Sequence, residues 1–406
     1  MSATDLLREW KERNPQVENI LMFVSDTLRW DYTPHSVLSK GVVFRAVASG
    51  VRTAISFPSI VTGLHPWHHR VHTFYGPGLP QSISSLMNVP SHNTSLWTEN
   101  CWVDYEPLTS APLYSNLGVR NRVPLEALEP PFIYLEDERG GHCPYGWSTT
   151  NREYEEWDCT SFFRDFGKKD ERALRAKYQE GVHRSAQIFE NRLRVIDWRD
   201  LADSTLVVFL SDHGESLGEH GGIVGHGLIT IPEAVYVPLV LIHPDLPKGT
   251  TFEGEGILRH VDLYPTIMDL LRRPATGGVD GVNLFDEREL PTYGFTYLED
   301  NIGRKGLGFD IREVSVWDTN GGYTFRDASI VLLLVWALGL TALGPRSLIA
   351  IYQRQRLRRS PGRLKEHGKL LRCLCTYLTK WGRPSFGTKE ATSYVRQAYE
   401  PRTREE

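Results

Sequence analysis

Four stretches of the chain, near 20–24, 131–135, 205–210 and 235–242, are apolar at nearly every position. They are rich in Val, Ile, Leu and Phe rather than alternating with polar residues, which predicts buried strands. Longer stretches separate them. Residues 172–197 repeat apolar side chains at helical spacing, which predicts a packing helix ahead of the strand at 205–210. Strands alternating with helices argue for an α/β fold with a mainly parallel sheet. Runs at 293–297 and 313–317 read as strands of a small C-terminal sheet. From Ala328 to Pro345 there is no charged residue, and a basic run follows: Arg354, Arg356, Arg358, Arg359, Arg363, Lys365, Lys369 and Arg372. A membrane span wants about 20 apolar residues, and Gly339, Gly344, Pro345 and Arg346 interrupt this segment early. It reads either as a tail anchor or surface-lying helix, with membrane contact through 328–372, or as a helix packed on the catalytic domain and followed by a solvated basic helix. The expected partition is 17–286 for a main α/β domain, 287–327 for C-terminal strands and 328–406 for the apolar helix and basic helical tail.

Two strands end in chemistry. The run at 205–210 leads into Ser211-Asp212-His213-Gly214-Glu215-Ser216-Leu217-Gly218-Glu219-His220, with Gly225-His226-Gly227 downstream. The run at 20–24 ends in Ser25-Asp26-Thr27. In an open α/β sheet, sites form at the carboxyl ends of the strands. Asp26 alone reads as a helix cap. Paired across a parallel sheet with Asp212 and His213, it becomes one ligand of a shared divalent cation. Carboxylate plus imidazole is a ligand set suited to Zn, Mn or Mg rather than to a soft metal.

The segment Arg52-Thr53-Ala54-Ile55-Ser56-Phe57-Pro58-Ser59-Ile60-Val61-Thr62-Gly63, with the His-rich turn Leu64-His65-Pro66-Trp67-His68-His69-Arg70-Val71-His72, resembles the sulfatases and the wider alkaline-phosphatase superfamily. Ser56-Phe57-Pro58-Ser59 looks literally like the serine form of the family signature. The family's usual spacing from its nucleophile to Thr-Gly instead selects Thr53, with Ser56 on the family's Ser and Phe57 where the family has Arg. Thr53 is the expected nucleophile and metal ligand, since a bound cation lowers the pKa of a hydroxyl. A nucleophile that begins a helix also meets backbone N–H groups and the positive end of the helix dipole.

Further pieces follow in the family's order. Glu138-Arg139-Gly140-Gly141-His142-Cys143-Pro144-Tyr145 resembles the His-x-Pro-Tyr whose histidine contacts the sulfuryl group or the leaving oxygen. Glu138 and His142 also resemble an Asp-x-x-x-His pair that holds a second metal in nucleotide pyrophosphatases. His226 matches the downstream His-Gly of phosphoethanolamine transferases and lipoteichoic-acid synthases. His220 is either a loop histidine or part of the site. Of the turn histidines, 65, 68 and 69 are expected on the surface, and His72 is expected to reach the pocket. His260-Val261-Asp262 and Asp280-Gly281-Val282-Asn283-Leu284 match as scaffold.

The resemblance implies an alkaline-phosphatase-like three-layer fold with a small C-terminal subdomain. It implies catalytic Thr53, His226 and His142, and substrate contacts from His142, His72 and Ser56. It implies one divalent metal ion (Mn, Ca, Mg or Zn) on Asp26, Thr53, Asp212 and His213, with room for a second. The implied function is a metal-dependent hydrolase of sulfate or phosphate esters. The alternatives are a phosphoethanolamine-type transferase or phosphodiesterase acting on a lipid or nucleotide, and a non-catalytic scaffold. The expected partner is a small-molecule sulfate or phosphate ester, free or carried on a lipid or glycan.

Charge is nearly balanced, at −4 over 406 residues, so no nucleic-acid footprint is expected. Cys101, Cys143, Cys159, Cys373 and Cys375 are scattered and odd in number, which is no disulfide framework. The N-terminus reads as an amphipathic helix without the apolar region of a signal peptide, giving a cytoplasmic expectation.

Overall fold

The computed structural model describes residues 1–13, 16–98, 108–148, 150, 153–302, 309–343, 347–360 and 363–399; Cys101 lies outside them. The central sheet has eight strands: β1 (Asn19–Ser25), β2 (Val42–Val47), β3 (Asn93–Thr98), β4 (Phe132–Glu138), β5 (Thr205–Leu210), β8 (Tyr236–Ile242), β9 (Thr250–Phe252) and β10 (Leu258–Arg259). A two-stranded ribbon, β6 (Ser216–Leu217) with β7 (Val224–Gly225), lies in the loop between β5 and β8. The order across the main sheet is β10-β2-β8-β5-β1-β4-β3, with β9 beside β2. Every pairing is parallel except the two made by β8.

The unbroken apolar runs have a direct cause. Side chains alternate across a strand, and here both faces are covered. Ile20, Met22 and Val24 of β1 join one core, with Ile133, Leu135, Leu206 and Val208. Leu21 and Phe23 join the other, with Phe132, Tyr134, Val207 and Phe209. The helices Thr53–Thr62 and Leu263–Leu270 close the first face through Phe57, Ile60, Val61 and Ile267. The helices Cys159–Phe166 and Glu171–Trp198 close the second through Phe162, Phe163, Val182 and Phe189. The result is the expected three-layer α/β sandwich. Phe57 is fully buried, and its truncation to Ala would cost about 3–5 kcal/mol. The N-terminal helix Ala3–Glu12 starts on Ser2, whose Oγ accepts from the Asp5 N–H, and buries Leu7 and Trp10.

The C-terminal part is a four-stranded antiparallel sheet in the order β11 (Gly294–Ile302), β12 (Phe309–Trp317), β13 (Gly321–Asp327), β14 (Leu378–Gly382). Because β14 pairs with β13, the boundary expected at 327/328 does not separate two units. The apolar segment is a helix of nine residues, Ile330–Leu338, running into a π-turn at Gly339–Leu343. Among the described residues no helix is long and apolar enough to cross a membrane.

The basic tail is only partly solvated. Helix Leu348–Arg359 buries Ile349, Tyr352, Gln353 and Arg356, and Gln353 donates to the Gly221 carbonyl. The turn histidines also depart from expectation. His65 and His69 are buried, and His69 Nε2 lies 3.1 Å from Ser59 Oγ. The Asp280 carboxylate ties this turn down by accepting from His65 N (2.7 Å) and pairing with His68 Nδ1 (2.7 Å).

Candidate active site

Parallel register brings three strand tips to one edge. In β1, Val24 pairs with Asp137 of β4 on one side and Leu210 of β5 on the other. Asp26, Asp137 and Asp212 therefore stand together at the carboxyl ends of neighbouring strands. Asp212 Oδ1 accepts from Thr27 N (3.2 Å) and His213 N (2.9 Å). Thr27 holds a positive φ of 59° to present that N–H, a strained conformation for a β-branched residue. With Oδ1 occupied by backbone, Oδ2 is buried and takes no hydrogen bond among the described residues.

His213 completes the group. Its Nδ1 donates to the Gly214 carbonyl (3.0 Å), which leaves Nε2 with its lone pair. That Nε2 lies 3.3 Å from Asp212 Oδ2, 3.9 Å from Asp26 Oδ1 and 3.5 Å from Thr53 Oγ1. Burial pulls the imidazole down to about 4, so the ring is neutral at ordinary pH. Burial, then the charges of Asp212 and Asp137, push the Asp26 carboxyl well above the usual range. Ligand atoms of Asp26, Asp212 and His213 all lie within 4.8 Å of one another. Two buried carboxylates, an unbonded oxygen and a neutral imidazole fit a divalent cation, which would relieve the repulsion between the acids.

Thr53 is the first residue of the helix Thr53–Thr62, so first-turn N–H groups lie beside its hydroxyl. Arg52, just before it, ties the helix start to two other segments. Its Nε donates to Gly227 O (2.9 Å) and its Nη1 to Glu299 O (3.0 Å). Phe57, at the family's arginine position, lies in the apolar core and offers no charge to the site.

Two more imidazoles face the group. His226 Nδ1 bonds Glu215 Oε2 (2.7 Å), and Glu215 Oε1 accepts from the Tyr145 hydroxyl (2.8 Å). The His226 ring centroid is 4.6 Å from that of His213 and 4.9 Å from that of His142. His142 Nδ1 donates to Cys143 O (2.7 Å). Desolvation, then His226, hold His142 well below the usual imidazole range. A cavity of about 350 Å³ opens here, lined by the polar residues Asp26, Thr53, Asp137 and His142 and by Phe74, Pro112, Leu113 and Trp157.

Other expected residues lie elsewhere. Ser56 Oγ accepts from Gly50 N (3.1 Å) and donates to Gly50 O (3.0 Å), a loop staple rather than a substrate contact. His72 does not line the cavity: Nδ1 pairs with Glu299 Oε2 (3.2 Å) and Nε2 with Pro66 O (2.9 Å). His220 pairs with Glu233 (2.8 Å) and packs on Trp381, outside the Asp26–Asp212–His213 cluster. Glu138 accepts from Gly140 N (2.8 Å), and Glu138 and His142 form no ligand group among the described residues. Sequence reasoning missed Asp137, which accepts from Thr98 Oγ1 (2.7 Å), and Glu215. Asp137 ends a buried strand as Asp26 does, and that parallel was the available signal.

Comparison with known proteins bears on the family and the fold. The family model described as Sulfatase matches residues 139–272. The low-salt glycan biosynthesis sulfotransferase Agl7 of Haloferax volcanii is 34% identical over 309 residues, covering 70% of this chain and 73% of that protein. The chain belongs to the sulfatase family. Its fold is shared with a 2-O GAG sulfatase (TM-score 0.59, 14% identity, 94% of this chain and 92% of that one). It is also shared with the phosphonate monoester hydrolase of Agrobacterium radiobacter (TM-score 0.57, 15% identity, 86% and 96%). The names of these relatives span ester hydrolysis and sulfuryl transfer.

Proposed function

We propose that the protein transfers the sulfuryl group of a sulfate ester through a covalent ester on Thr53, with water as acceptor in the simplest case. The observation that carries this reading is Thr53 Oγ1, 3.5 Å from His213 Nε2 at a helix start, in the cavity that also exposes Asp26, Asp137 and His142. Asp26, Asp212 and His213 would hold a divalent cation, with Thr53 beside them. When bound, such an ion neutralises charge on a sulfuryl oxygen and favours the deprotonated hydroxyl.

The chain's own residues account for the rest. Thr53 Oγ forms a bond to sulfur while the bond from sulfur to the leaving oxygen breaks. The Thr53 proton passes through His226 to that leaving oxygen, and Glu215 stabilises the transient imidazolium. His142 Nε2, left without a proton by the Nδ1 bond to Cys143 O, accepts from the O–H of the departing alcohol once the leaving oxygen is protonated. An acceptor O–H then attacks sulfur, and its proton returns through His226 to Thr53 Oγ. With water the products are the alcohol and hydrogen sulfate. With a sugar hydroxyl the same two steps make a sulfated glycan, a second reading that the likeness to Agl7 favours. The flat walls of Trp157 and Phe74 suit the C–H face of a sugar or an aryl ring.

The test is turnover of an aryl sulfate, an aryl phosphate and an aryl phosphodiester, each with EDTA or with added Mn, Ca, Mg or Zn. Metal-dependent cleavage of the sulfate, with a sulfuryl-sized mass increase on the Thr53 peptide under rapid quench, is the expected result. Turnover by Thr53→Ala at the wild-type rate would sink the assignment. A preference for the diester would replace sulfuryl with phosphoryl transfer.

A further inference from the structure

Among the described residues ten large apolar side chains are exposed, and five of them belong to one helix: Ile330, Val331, Leu334, Val335 and Leu338. Two others, Tyr377 and Leu378, lie beside its start. Leu378 pairs with Phe325, and Arg326 N donates to Tyr377 O, five and four residues before the helix begins at Ile330. The helix is apolar all round. Leu333, Trp336 and Ala337 fill the core against Leu370 and Leu374 of the neighbouring helix Leu364–Leu374. Its opposite side carries Val331 at 66% and Val335 at 53% exposure. A contiguous patch of this kind marks an interaction surface rather than ordinary surface scatter.

The surroundings select the occupant. Lys365, Lys369 and Arg372 are exposed on the helix packed beside it, and Arg354, Arg358 and Arg359 on the helix Leu348–Arg359. The one exposed acid on these two helices, Glu366, is held by Arg356 and Arg363. Nine helical residues are too few to span a bilayer. An apolar face flanked by a basic one is instead the pattern of a helix lying in the plane of an anionic lipid surface. A second copy of the chain docked by a two-fold axis would bring the six cations of each copy toward those of the other.

We infer that the helix Ile330–Leu338, with its flanking lysines and arginines, is a peripheral docking site for a membrane surface containing anionic lipid. This site is separate from the chemistry at Thr53 and does not depend on it.

The experiment is co-sedimentation of the full chain with vesicles of phosphatidylcholine alone or mixed with phosphatidylglycerol, at low and high salt. Wild type is expected to sediment with the mixed vesicles at low salt and to stay in the supernatant with the neutral ones. Val331→Asp with Val335→Asp should weaken binding about tenfold or more, since each valine loses its apolar burial. Lys365→Glu with Lys369→Glu should remove the salt-dependent part. Both pairs are exposed, so melting temperature should hold and exclude misfolding. Wild type left in the supernatant throughout, or Val331→Asp/Val335→Asp sedimenting like wild type, would overturn the proposal. So would a wild-type dimer in light scattering that the valine variant converts to monomer.

Discussion

The two sheets of this protein divide the work unequally. The parallel sheet places the acids of the candidate site: Asp26, Asp137 and Asp212 stand at the tips of β1, β4 and β5 because parallel strands end on the same edge. Among the described residues the antiparallel sheet places no candidate ligand or nucleophile there, yet it braces the same site from outside. Glu313 of β12 accepts from Thr230 N (2.7 Å) in the segment after His226 and pairs with buried Arg326. The Glu299 carbonyl of β11 holds Arg52 beside Thr53. Trp381 of β14 packs on His220, and Gln353 of the helical tail reaches Gly221. One sheet decides which atoms meet, and the other decides how tightly the loop carrying His226 is held.

That contrast can be broken at either end. Thr53→Ala, which removes the proposed nucleophile, should lower kcat by about 10⁴-fold or more with the melting temperature unchanged. Asp212→Asn should cost metal content, read by elemental analysis after dialysis, because it weakens the cluster that gathers the three ligands. Retained stoichiometric metal would separate Asp212 from the site.

Glu215→Gln touches neither substrate nor cation in the proposed scheme and acts by positioning His226. It should reduce kcat about 10- to 100-fold, with KM nearly constant. The loss should grow for alkyl sulfates, whose leaving oxygen needs the proton more than an aryl one does. Equal losses for both classes would argue for a structural role alone.

Glu313→Ala in the second sheet should act mainly on stability. It strands the Arg326 guanidinium in the interior, a defect worth about 3–5 kcal/mol, and thermal unfolding should register it before kinetics do.

The smallest effect concerns acid. The hydrogen bond from His72, then burial working against it, leave the Glu299 carboxyl at about 2, below its ordinary 4.5. A depressed carboxyl contributes stability above its unfolded value and loses it as pH falls toward the folded one. Stability should therefore decline between about pH 4.5 and pH 2, and Glu299→Gln should flatten that part of the acid-unfolding curve.

The sequence by itself determined the parallel sheet and the meeting of Asp26, Asp212 and His213 at its edge. Unbroken apolar runs announce strands covered on both faces, and Asp-His-Gly after such a run puts ligands at a strand tip. Thr53 was legible through spacing within the resemblance, and His226 through its glycine neighbours. Local pattern could not decide what depends on who lies opposite. His72 and Ser56 have the chemistry of a site, but their polar atoms meet Glu299, Pro66 and Gly50. Asp137 looked like one acid among Glu136, Asp137 and Glu138 until strand register aligned it with Val24. The apolar segment at 328–344 could not be placed from composition, because a helix apolar all round reads alike whether it faces a core or a membrane. Only the tertiary structure decided that Leu333, Trp336 and Ala337 face the core while Val331 and Val335 face outward.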